Sequence, residues 1–374
     1  MTGRTIIVGG GPAGAAAACL LARAGRPVLL IERDAGPQHK ICGEFVSVEA
    51  RAGLAALGID IARLGASPVD AVRLIHGRDA ARSRLPFRGF GLSRRAMDEA
   101  LLRKAAQLGA TVMRGTAVRG VTPTGGGLAI ETAGLGRIDA DTLFLATGKH
   151  ELRGVRRAPG HEPDGLIGFK MHFALCPAQR TALEGHVEIV LYEDGYAGLQ
   201  MVEAGAANLC LLVRRDRFAR AGGRWEDFLA GLRRECPHLD RRLEGAVALL
   251  EKPLSIARSP YGFVHRPGAA DPPGLFRLGD QVGVIQPFAG DGMAIALHSA
   301  RLAAETHLAG RPALEFHRRV RRDIGGRIRL ASLLYAAGRT GRGRAVLVRA
   351  SRLWPCALRL TAAGTRLPRS AWEA

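Results

Sequence analysis

The feature that most constrains this chain is a glycine-rich turn between its first predicted strand and its first predicted helix. Residues 5–8 are β-branched, the turn follows, and a helix of small residues leads to a second apolar strand that ends at Glu32. Gly9, Gly11 and Gly14 have the G-x-G-x-x-G spacing, which allows a tight turn, the close approach of a pyrophosphate and the packing of helix on strand. The N–H groups and dipole of the helix N-terminus favour negative charge there. The stretch therefore predicts a dinucleotide-binding turn.

The residue at the end of the second strand narrows the choice of dinucleotide. Glu32 follows Gly14 by 18 residues, where a carboxylate accepts hydrogen bonds from an adenosine ribose. An acid at this position, rather than an arginine, disfavours a ribose 2′-phosphate and leaves NAD or FAD. We expect the neighbouring Pro12, Ala13 and Arg33 to contact the cofactor as well.

The composition indicates a soluble globular protein. Its 374 residues, 47% of them hydrophobic, suffice for two domains or for one domain with a large insertion. The chain starts directly into a strand, shows no signal-peptide pattern and has no run of 18 apolar residues, so we expect a cytoplasmic location. Its six cysteines form no C-x-x-C pair. This indicates neither a disulfide framework nor a zinc site, and we expect no metal.

The net formal charge of +20 is concentrated toward the C-terminus. Between Arg318 and Arg352 there are eleven arginines and one acid, Asp323. Such a block attracts nucleic acid, an anionic membrane surface or an acidic carrier partner, or it is the solvated face of a helix. No nucleic-acid-binding pattern accompanies the arginines, so we expect no specific nucleic acid as a partner.

Apolar residues recur at helical spacing in the same region, residues 313–374. They are Leu330, Leu333, Leu334, Leu347, Leu353 and Leu358. Helical spacing more often indicates packing on a domain than a free amphipathic surface. We therefore predict that this region covers the substrate domain or closes its pocket, with its arginines outward; a weak association with a membrane surface is the alternative.

The order of predicted elements indicates an α/β fold. Short buried strands alternate with helices in the first part of the chain, whereas residues 166–213 form long runs of alternating polarity, typical of an antiparallel sheet with one covered face. We predict a dinucleotide-binding domain with a parallel sheet, an inserted antiparallel-sheet substrate domain and a helical C-terminal region. The predicted bounds are 1–76 with 93–157 and 270–312 for the first, 77–92 and 158–269 for the second, and 313–374 for the third.

Three distant segments carry a resemblance to a known family: the glycine turn, Arg94 at the start of a helix, and the run from Gly279 to Gly292. Together they resemble the FAD-dependent oxidoreductases of the aromatic-hydroxylase type, the group A flavoprotein monooxygenases, and particularly the branch that contains geranylgeranyl reductases and flavin-dependent halogenases. The resemblance covers roughly residues 3–310. It implies a Rossmann-like FAD-binding domain of the GR2 type, with FAD held non-covalently and NADH or NADPH as the reductant.

The resemblance also implies which residues contact the flavin. Asp280 matches an aspartate that contacts the ribityl chain, and the run from Pro287 to Gly292 matches a loop beside the isoalloxazine. Glycine admits the flat ring close to the backbone, and the helix that starts near Asp291 directs its positive end toward a reduced, anionic flavin. The residues that the resemblance adds to the cofactor site are Cys42, Arg94, Gly279, Asp280, Pro287, Gly290, Gly292 and Met293.

Candidate catalytic residues are the titratable groups close to these motifs. His150 and His172 are candidates because a histidine near a flavin can deprotonate a phenol or donate a proton to a leaving oxygen. Glu44 lies in the Cys-Gly segment and is a candidate contact to substrate or cofactor, and Lys149 follows the strand 142–146. A structural role for each histidine is the more common alternative.

Two departures from the family bear on the reaction. Residues 195–200 lack the Tyr-x-Trp-x-Phe-Pro signature of the geranylgeranyl reductases, and no Trp-x-Trp-x-Ile-Pro stretch of the halogenases is present. The leading hypothesis is therefore an NAD(P)H-using monooxygenase that hydroxylates or oxidises an apolar aromatic or polyketide-like small molecule, free or carrier-bound. A carbon–carbon double-bond reductase of the geranylgeranyl-reductase type is the alternative, and a non-catalytic flavin-binding or carrier-partner protein is the third. The protein is expected to be a monomer or homodimer.

Overall fold

The computed structural model describes residues 4–157, 165–268 and 271–368. Its strands are β1 (Thr5–Val8), β2 (Val28–Ile31), β3 (Phe45–Val46), β4 (Ser67–His76), β5 (Asp79–Gly91), β6 (Thr111–Met113), β7 (Val118–Thr124), β8 (Gly127–Thr132), β9 (Gly136–Ala140), β10 (Thr142–Leu145), β11 (Leu166–Ala174), β12 (Gly185–Tyr192), β13 (Gly195–Met201), β14 (Ala207–Arg214), β15 (Val247–Ala248), β16 (Leu254–Ala257) and β17 (Leu275–Arg277).

The helices pack on both of the larger sheets. They are α1 (Pro12–Arg23), α2 (Val48–Ala56), α3 (Arg94–Gln107), α4 (Pro177–Leu183), α5 (Arg215–Arg220), α6 (Trp225–Glu235), α7 (Pro237–Arg242), α8 (Gly292–Leu308), α9 (Ala313–Gly338), α10 (Gly341–Leu353) and α11 (Pro355–Gly364). Among the described residues, no helix combines the length and apolar character that a bilayer crossing requires.

A five-stranded parallel sheet forms the first layer, in the order β17-β10-β1-β2-β6. The chain passes from β1 through α1 to β2, as the glycine turn predicts. Ala15, Ala17 and Ala18 are fully buried on α1, and side chains this small let α8 and α3 pack closely against it. The parallel Rossmann-like sheet predicted from the sequence is confirmed.

A nine-stranded sheet forms the second layer, in the order β15-β11-β14-β13-β12-β4-β5-β3, with β16 paired to β11. The predicted antiparallel sheet is confirmed: its pairings are antiparallel except that of β4 with β12, which is parallel. On one face, α6 buries Trp225, Phe228 and Leu232 against it. A separate three-stranded antiparallel sheet, β7-β8-β9, lies beside the parallel sheet.

The hydrogen bonding of β4 differs from the predicted grouping of residues. The predicted bounds place residues 67–76 in the dinucleotide-binding part, whereas β4 pairs with β5 in the nine-stranded sheet. The register joins His76 to Asp79 across a two-residue turn, in which Gly77 has φ of +59°. A turn this tight makes the two strands one hairpin, so they belong to the same sheet. The division of the chain into domains stays a prediction.

The C-terminal helices cover the nine-stranded sheet. Both α10 and α11 pack on β5, while α9 packs on α8 and β17, which agrees with the predicted covering role. Two details of that prediction are wrong. Leu333 and Leu353 are exposed, at 68% and 69%, because the inner faces of the helices are occupied by other apolar residues. Arg344 and Arg366 point inward, since each guanidinium binds backbone carbonyls at a helix end or loop.

Candidate active site

The glycine turn has a geometry that side chains would block. Gly9 has φ of +106°, a conformation that favours glycine, and a Cβ there would lie 2.3 Å from the carbonyl oxygen of Ala146. A Cβ on Gly14 would lie 1.9 Å from the carbonyl oxygen of Gly9. Both glycines are therefore required for β1 and α1 to approach each other as they do.

The N-terminus of α1 is available to an anion. Its N-cap, Gly11, offers no side-chain hydrogen bond, and the first turn contains no acid. The N–H groups of a first helical turn have no partner within the helix, so they and the helix dipole favour a phosphate placed there. A Cβ on Gly11 would lie 3.2 Å from Nη2 of Arg94, which adds a full positive charge beside the same backbone.

Arg94 is fixed by a buried ion pair on its own helix. Its Nε and Nη2 donate to the two carboxylate oxygens of Asp98, at 2.7 and 2.8 Å. Burial by itself would lower the pKa of Arg94, but the adjacent Asp98 carboxylate raises it above its usual range. Ser93 caps the helix by accepting from the N–H of Ala96. The guanidinium is thereby held in one orientation.

Glu32 and Arg33 lie at the outer end of the turn. The Glu32 carboxylate accepts from the N–H of Gly10 and, at 3.0 Å, from the N–H of Asp34. Each oxygen keeps a lone pair for a ribose hydroxyl, so Glu32 can close the turn and still bind the ribose predicted there. Arg33 approaches His150 at 3.2 Å.

A cavity opens between the turn, the loop that precedes β3 and the start of α8; we call it the cofactor cavity. Eleven of the residues predicted to bind the cofactor line it: Gly11, Pro12, Ala13, Cys42, Arg94, Gly279, Asp280, Pro287, Gly290, Gly292 and Met293. Gly9 and Gly14 lie in the turn itself, and Glu32 and Arg33 are not among the lining residues. Segments separated by more than two hundred residues thus meet at one site.

Asp280 and Lys149 supply opposite charges to this cavity. The Asp280 carboxylate makes no hydrogen bond or ion pair with the described residues, so it is an unused acceptor. Lys149 Nζ donates to the Tyr261 hydroxyl at 3.3 Å and lies 5.0 Å from the centre of its ring. Burial would lower the pKa of Lys149, but Tyr261 and Asp280 together raise it, so the ammonium stays charged.

Glu44 is the centre of a buried ion-pair cluster. It is fully buried and has φ of +59°, a strained conformation for a residue with a side chain. One carboxylate oxygen accepts from Lys170 Nζ and from the N–H of Arg94 at 2.8 Å, and the other pairs with His172 Nε2 at 2.8 Å. Burial would raise the pKa of Glu44, but His172 and Lys170 hold it below its usual value.

This cluster fastens the loop before β3 to the nine-stranded sheet. Lys170 and His172 belong to β11, and Lys170 also donates to the carbonyl oxygen of Lys40 at 3.1 Å. Asn208, on β14, donates to the carbonyl oxygens of Cys42 and Gly43. The cluster therefore fixes the segment that forms one wall of the cofactor cavity.

The three predicted catalytic residues occupy different places. Glu44 lines the cofactor cavity, whereas His172 lies behind it and is not among the lining residues. His172 packs edge-on against His39 at 4.8 Å, and burial lowers the pKa of His39 to about 4. His150 is exposed at the edge of the site, where Arg33 contacts it. The geometry gives Glu44 and His172 a positioning role, and the catalytic assignment of all three stays a prediction.

A second cavity lies between the nine-stranded sheet and the C-terminal helices; we call it the substrate cavity. Its walls are mainly aliphatic, and include Val72, Ile189, Leu334, Leu347 and Leu358. Four residues line both cavities: Gly43, Phe45, Pro287 and Gly290. The two cavities therefore meet at the loop from Pro287 to Gly290.

The segment that follows α11 holds that loop in place. Arg366 donates at 3.2 Å to the carbonyl oxygen of Gly290 and to the Asp291 carboxylate, which also accepts from the N–H of Leu367. Its guanidinium lies 5.3 Å from the ring centre of Phe45 and 4.7 Å from that of Phe87. Burial raises the pKa of Asp291 to about 7, against the opposing charge of Arg366.

Sequence reasoning missed three residues of the site. Lys170 could have been identified from the sequence, because a lysine within the apolar run 166–174 requires a buried partner. Arg366 could not, because nothing in the sequence distinguishes it from the many arginines around it. Arg157 donates to the carbonyl oxygens of Gly148, Lys149 and Asp280, and so joins two cavity segments that no local pattern connects.

Comparisons with known proteins agree with this fold. Residues 7–40 match the family model of an NAD(P)-binding Rossmann-like domain. A menaquinone reductase of Mycolicibacterium smegmatis is 29% identical over 327 residues, covering 82% of this chain and 76% of that protein. A tryptophan 2-halogenase of Chondromyces crocatus is 26% identical over 320 residues, covering 80% of this chain and 60% of the halogenase.

Solved structures share the fold over almost the whole chain. The flavin-dependent brominase Bmp2 aligns with a TM-score of 0.77 at 18% identity, covering 99% of this chain and 95% of the brominase. The halogenase PltM, in complex with phloroglucinol and FAD, aligns with a TM-score of 0.71 at 16% identity, covering 97% of this chain and 86% of PltM. The chain has the fold of FAD-dependent oxidoreductases. Within that class, the comparisons specify neither the reaction nor the substrate.

Proposed function

We propose that this protein is an FAD-dependent oxidoreductase that acts on an apolar small molecule in the substrate cavity. The observation that carries the proposal is the wall shared by the two cavities at Gly43, Phe45, Pro287 and Gly290. A redox cofactor in one cavity can act on a molecule in the other only where the two spaces adjoin. This arrangement provides such a place, and it is lined by glycines that leave the backbone accessible.

The residues of the cofactor cavity fit FAD. The uncapped N-terminus of α1 and Arg94 suit a pyrophosphate, Glu32 suits the adenosine ribose, and the free carboxylate of Asp280 suits the ribityl hydroxyls. A Cβ on Gly292 or on Gly43 would meet nothing within 4 Å, so the space beside both backbones is open to a flat ring. The described residues offer no covalent linkage motif, and we propose that FAD binds non-covalently, with NADH or NADPH as reductant.

We propose monooxygenation of an aromatic ring as the reaction. Bound FAD supplies the redox and oxygen chemistry, and the protein contributes binding, orientation and the exclusion of water. Gly195 and Gly198 line the substrate cavity in the stretch where geranylgeranyl reductases have large aromatic anchors, which leaves width for a ring. Phloroglucinol, which PltM binds, is a phenol. The aliphatic walls favour a ring that carries an alkyl or prenyl chain.

Reduction of a carbon–carbon double bond is the second candidate. It is supported by the similarity to a protein named menaquinone reductase, because menaquinone carries an isoprenoid chain with carbon–carbon double bonds; the similarity covers most of both chains. The long aliphatic wall formed by Leu191, Leu334 and Leu358 suits an isoprenoid chain as well as an alkyl one. The two reactions differ in their need for oxygen.

The deciding experiment compares turnover with and without oxygen. The FAD-loaded protein is mixed with NADH or NADPH and either a series of alkylphenols or a prenylated quinone, and products are identified by mass spectrometry. Monooxygenation predicts oxygen consumption tied to substrate and a product heavier by one oxygen atom. A product formed under anaerobic conditions that remains heavier by two hydrogens after air has reoxidised any hydroquinone to the quinone supports the second candidate instead.

A variant of the substrate cavity provides the matched control. Gly198 lines this cavity alone, and a Cβ there meets only the carbonyl oxygen of Cys210, at 3.7 Å. Gly198→Phe should therefore keep FAD content and thermal midpoint while it removes turnover, because the ring fills the substrate space. Unchanged turnover in this variant would show that the substrate binds elsewhere.

A further inference from the structure

The outer surface of the C-terminal helices is unusually apolar. Of the nine large hydrophobic side chains that are exposed in the described ranges, five lie within residues 333–360. They are Leu333 at 68%, Val346 at 63%, Leu353 at 69%, Trp354 at 65% and Leu360 at 71%. We call the surface formed by these five residues and the arginines beside them the outer helical face.

Arginines lie on the same sides of the helices as these exposed apolar residues. Arg342, Val346, Arg349 and Leu353 follow one another at spacings of three and four, so they lie on one side of α10. Arg329 precedes Leu333 by four residues on α9. The described arginines at 329, 342, 349 and 359 are exposed and make no ion pair. From residue 324 to residue 368 the chain has no acid, so the segment that forms the face carries only positive formal charges. Asp79, at the start of β5, pairs with Arg352 beside it.

The three helices share one cavity on their inner sides. Leu334 on α9, Leu347 on α10 and Leu358 on α11 all line the substrate cavity. The exposed apolar residues lie on the remaining, solvent-facing sides of the same helices. Trp354 lies between α10 and α11.

We propose that the outer helical face docks on an anionic lipid bilayer. Arginines attract anionic headgroups, while exposed leucines and a tryptophan insert at the boundary between headgroups and acyl chains. The helices that would rest on the bilayer form the roof of the substrate cavity, so an apolar molecule dissolved in the membrane would have a short path to it. The inference concerns docking and holds whichever reaction the site performs.

Other occupants fit this face less well. A second copy of the chain would bring two positively charged faces together, which costs free energy through like-charge repulsion. Nucleic acid or an acidic protein would match the arginines, but the aliphatic side chains of the face gain nothing from phosphates or carboxylates. A bilayer surface accommodates both kinds of residue.

Co-sedimentation with lipid vesicles tests the proposal. The whole FAD-reconstituted protein is incubated with sucrose-loaded vesicles of phosphatidylcholine, with or without phosphatidylglycerol. We expect strong binding only to the vesicles with phosphatidylglycerol, and weaker binding as salt rises. Replacing Arg342 and Arg349 by Gln should lower the affinity by about tenfold or more. The triple change Leu353→Ser, Trp354→Ser and Leu360→Ser should also weaken binding, with the salt dependence retained.

A matched control separates this face from general surface hydrophobicity. Leu135, Val247 and Leu249 are exposed at 54%, 64% and 50% and lie elsewhere on the molecule, so their triple replacement by Ser should leave vesicle binding unchanged. Circular dichroism and the thermal midpoint verify that each variant is folded. Binding that is absent at low salt, or equal in both sets of variants, would overturn the proposal. So would a dimer in sedimentation velocity that dissociates in the outer-face variants.

Discussion

Lys170→Met is the perturbation that bears most directly on how the site is held together. Lys170 and Glu44 are both fully buried, and their ion pair joins the loop before β3 to β11. Methionine has nearly the same length and volume as lysine, so the change removes the charge with little change in packing. The Glu44 carboxylate then keeps two contacts, His172 Nε2 and the N–H of Arg94, both at 2.8 Å.

The expected loss of stability follows from what Glu44 retains. Removing one partner of a buried ion pair costs about 3–5 kcal/mol, because the other charge is left without compensation. Because Glu44 keeps its contacts with His172 and with the N–H of Arg94, we expect a loss of stability at the lower end of this range, about 3 kcal/mol. The double variant Glu44→Gln with Lys170→Met leaves no buried charge at this point, so it should be less destabilised than Lys170→Met alone.

Urea unfolding followed by circular dichroism measures these differences. The pH dependence of the free energy of unfolding provides an independent test. The lowered pKa of Glu44 in the folded protein stabilises it above the unfolded pKa of about 4.3, and this stabilisation is lost as the pH falls. Without Lys170 the pKa of Glu44 rises toward or past its unfolded value, so the loss of stability on acidification should be smaller than in the unchanged protein. A destabilisation below about 1 kcal/mol in Lys170→Met would refute the reasoning.

Three further predictions concern the cofactor and the C-terminal segment. Gly11→Val and Asp280→Ala should both lower FAD occupancy, measured by absorbance, because the first fills the pyrophosphate space and the second removes the ribityl acceptor; normal flavin content in both would contradict the placement of the site. The pKa of Asp291, about 7, lies above the unfolded value of about 3.9, so stability should fall as the pH rises through that window. In Asp291→Asn this slope should be absent from urea unfolding curves, and an unchanged slope would mean that another group titrates. Truncation after residue 312 removes the Arg366 contacts to the Pro287 to Gly290 loop, and should give insoluble protein in expression trials; a folded fragment that binds FAD would count against the packing account.

Local sequence patterns predicted the parts of the structure that local physics determines. The turn at Gly9 and Gly14 follows from steric limits within a few residues, and it lies at the residues that the G-x-G-x-x-G spacing predicts. The start of the helix at Arg94 is also local, because the Ser93 side chain that caps it accepts from a backbone N–H only three residues away.

Contacts between distant residues escaped prediction. The partners of Glu44 on β11 lie 126 and 128 residues away, and Arg366 reaches Asp291 across 75 residues. No pattern in the chain singles out Arg366 from its arginine neighbours, because only the folded arrangement brings a buried carboxylate to it. The parallel pairing of β4 with β12 was not predicted either, since β12 follows more than a hundred residues later.

The absorption spectrum of the purified protein after reconstitution with FAD shows whether the cofactor cavity binds FAD non-covalently. We expect a yellow protein with a flavin spectrum that survives gel filtration, and FAD that is released intact into the supernatant on acid precipitation. Flavin that stays attached to the precipitate would contradict non-covalent binding. A colourless protein that fails to retain FAD would contradict the assignment of the cofactor cavity itself.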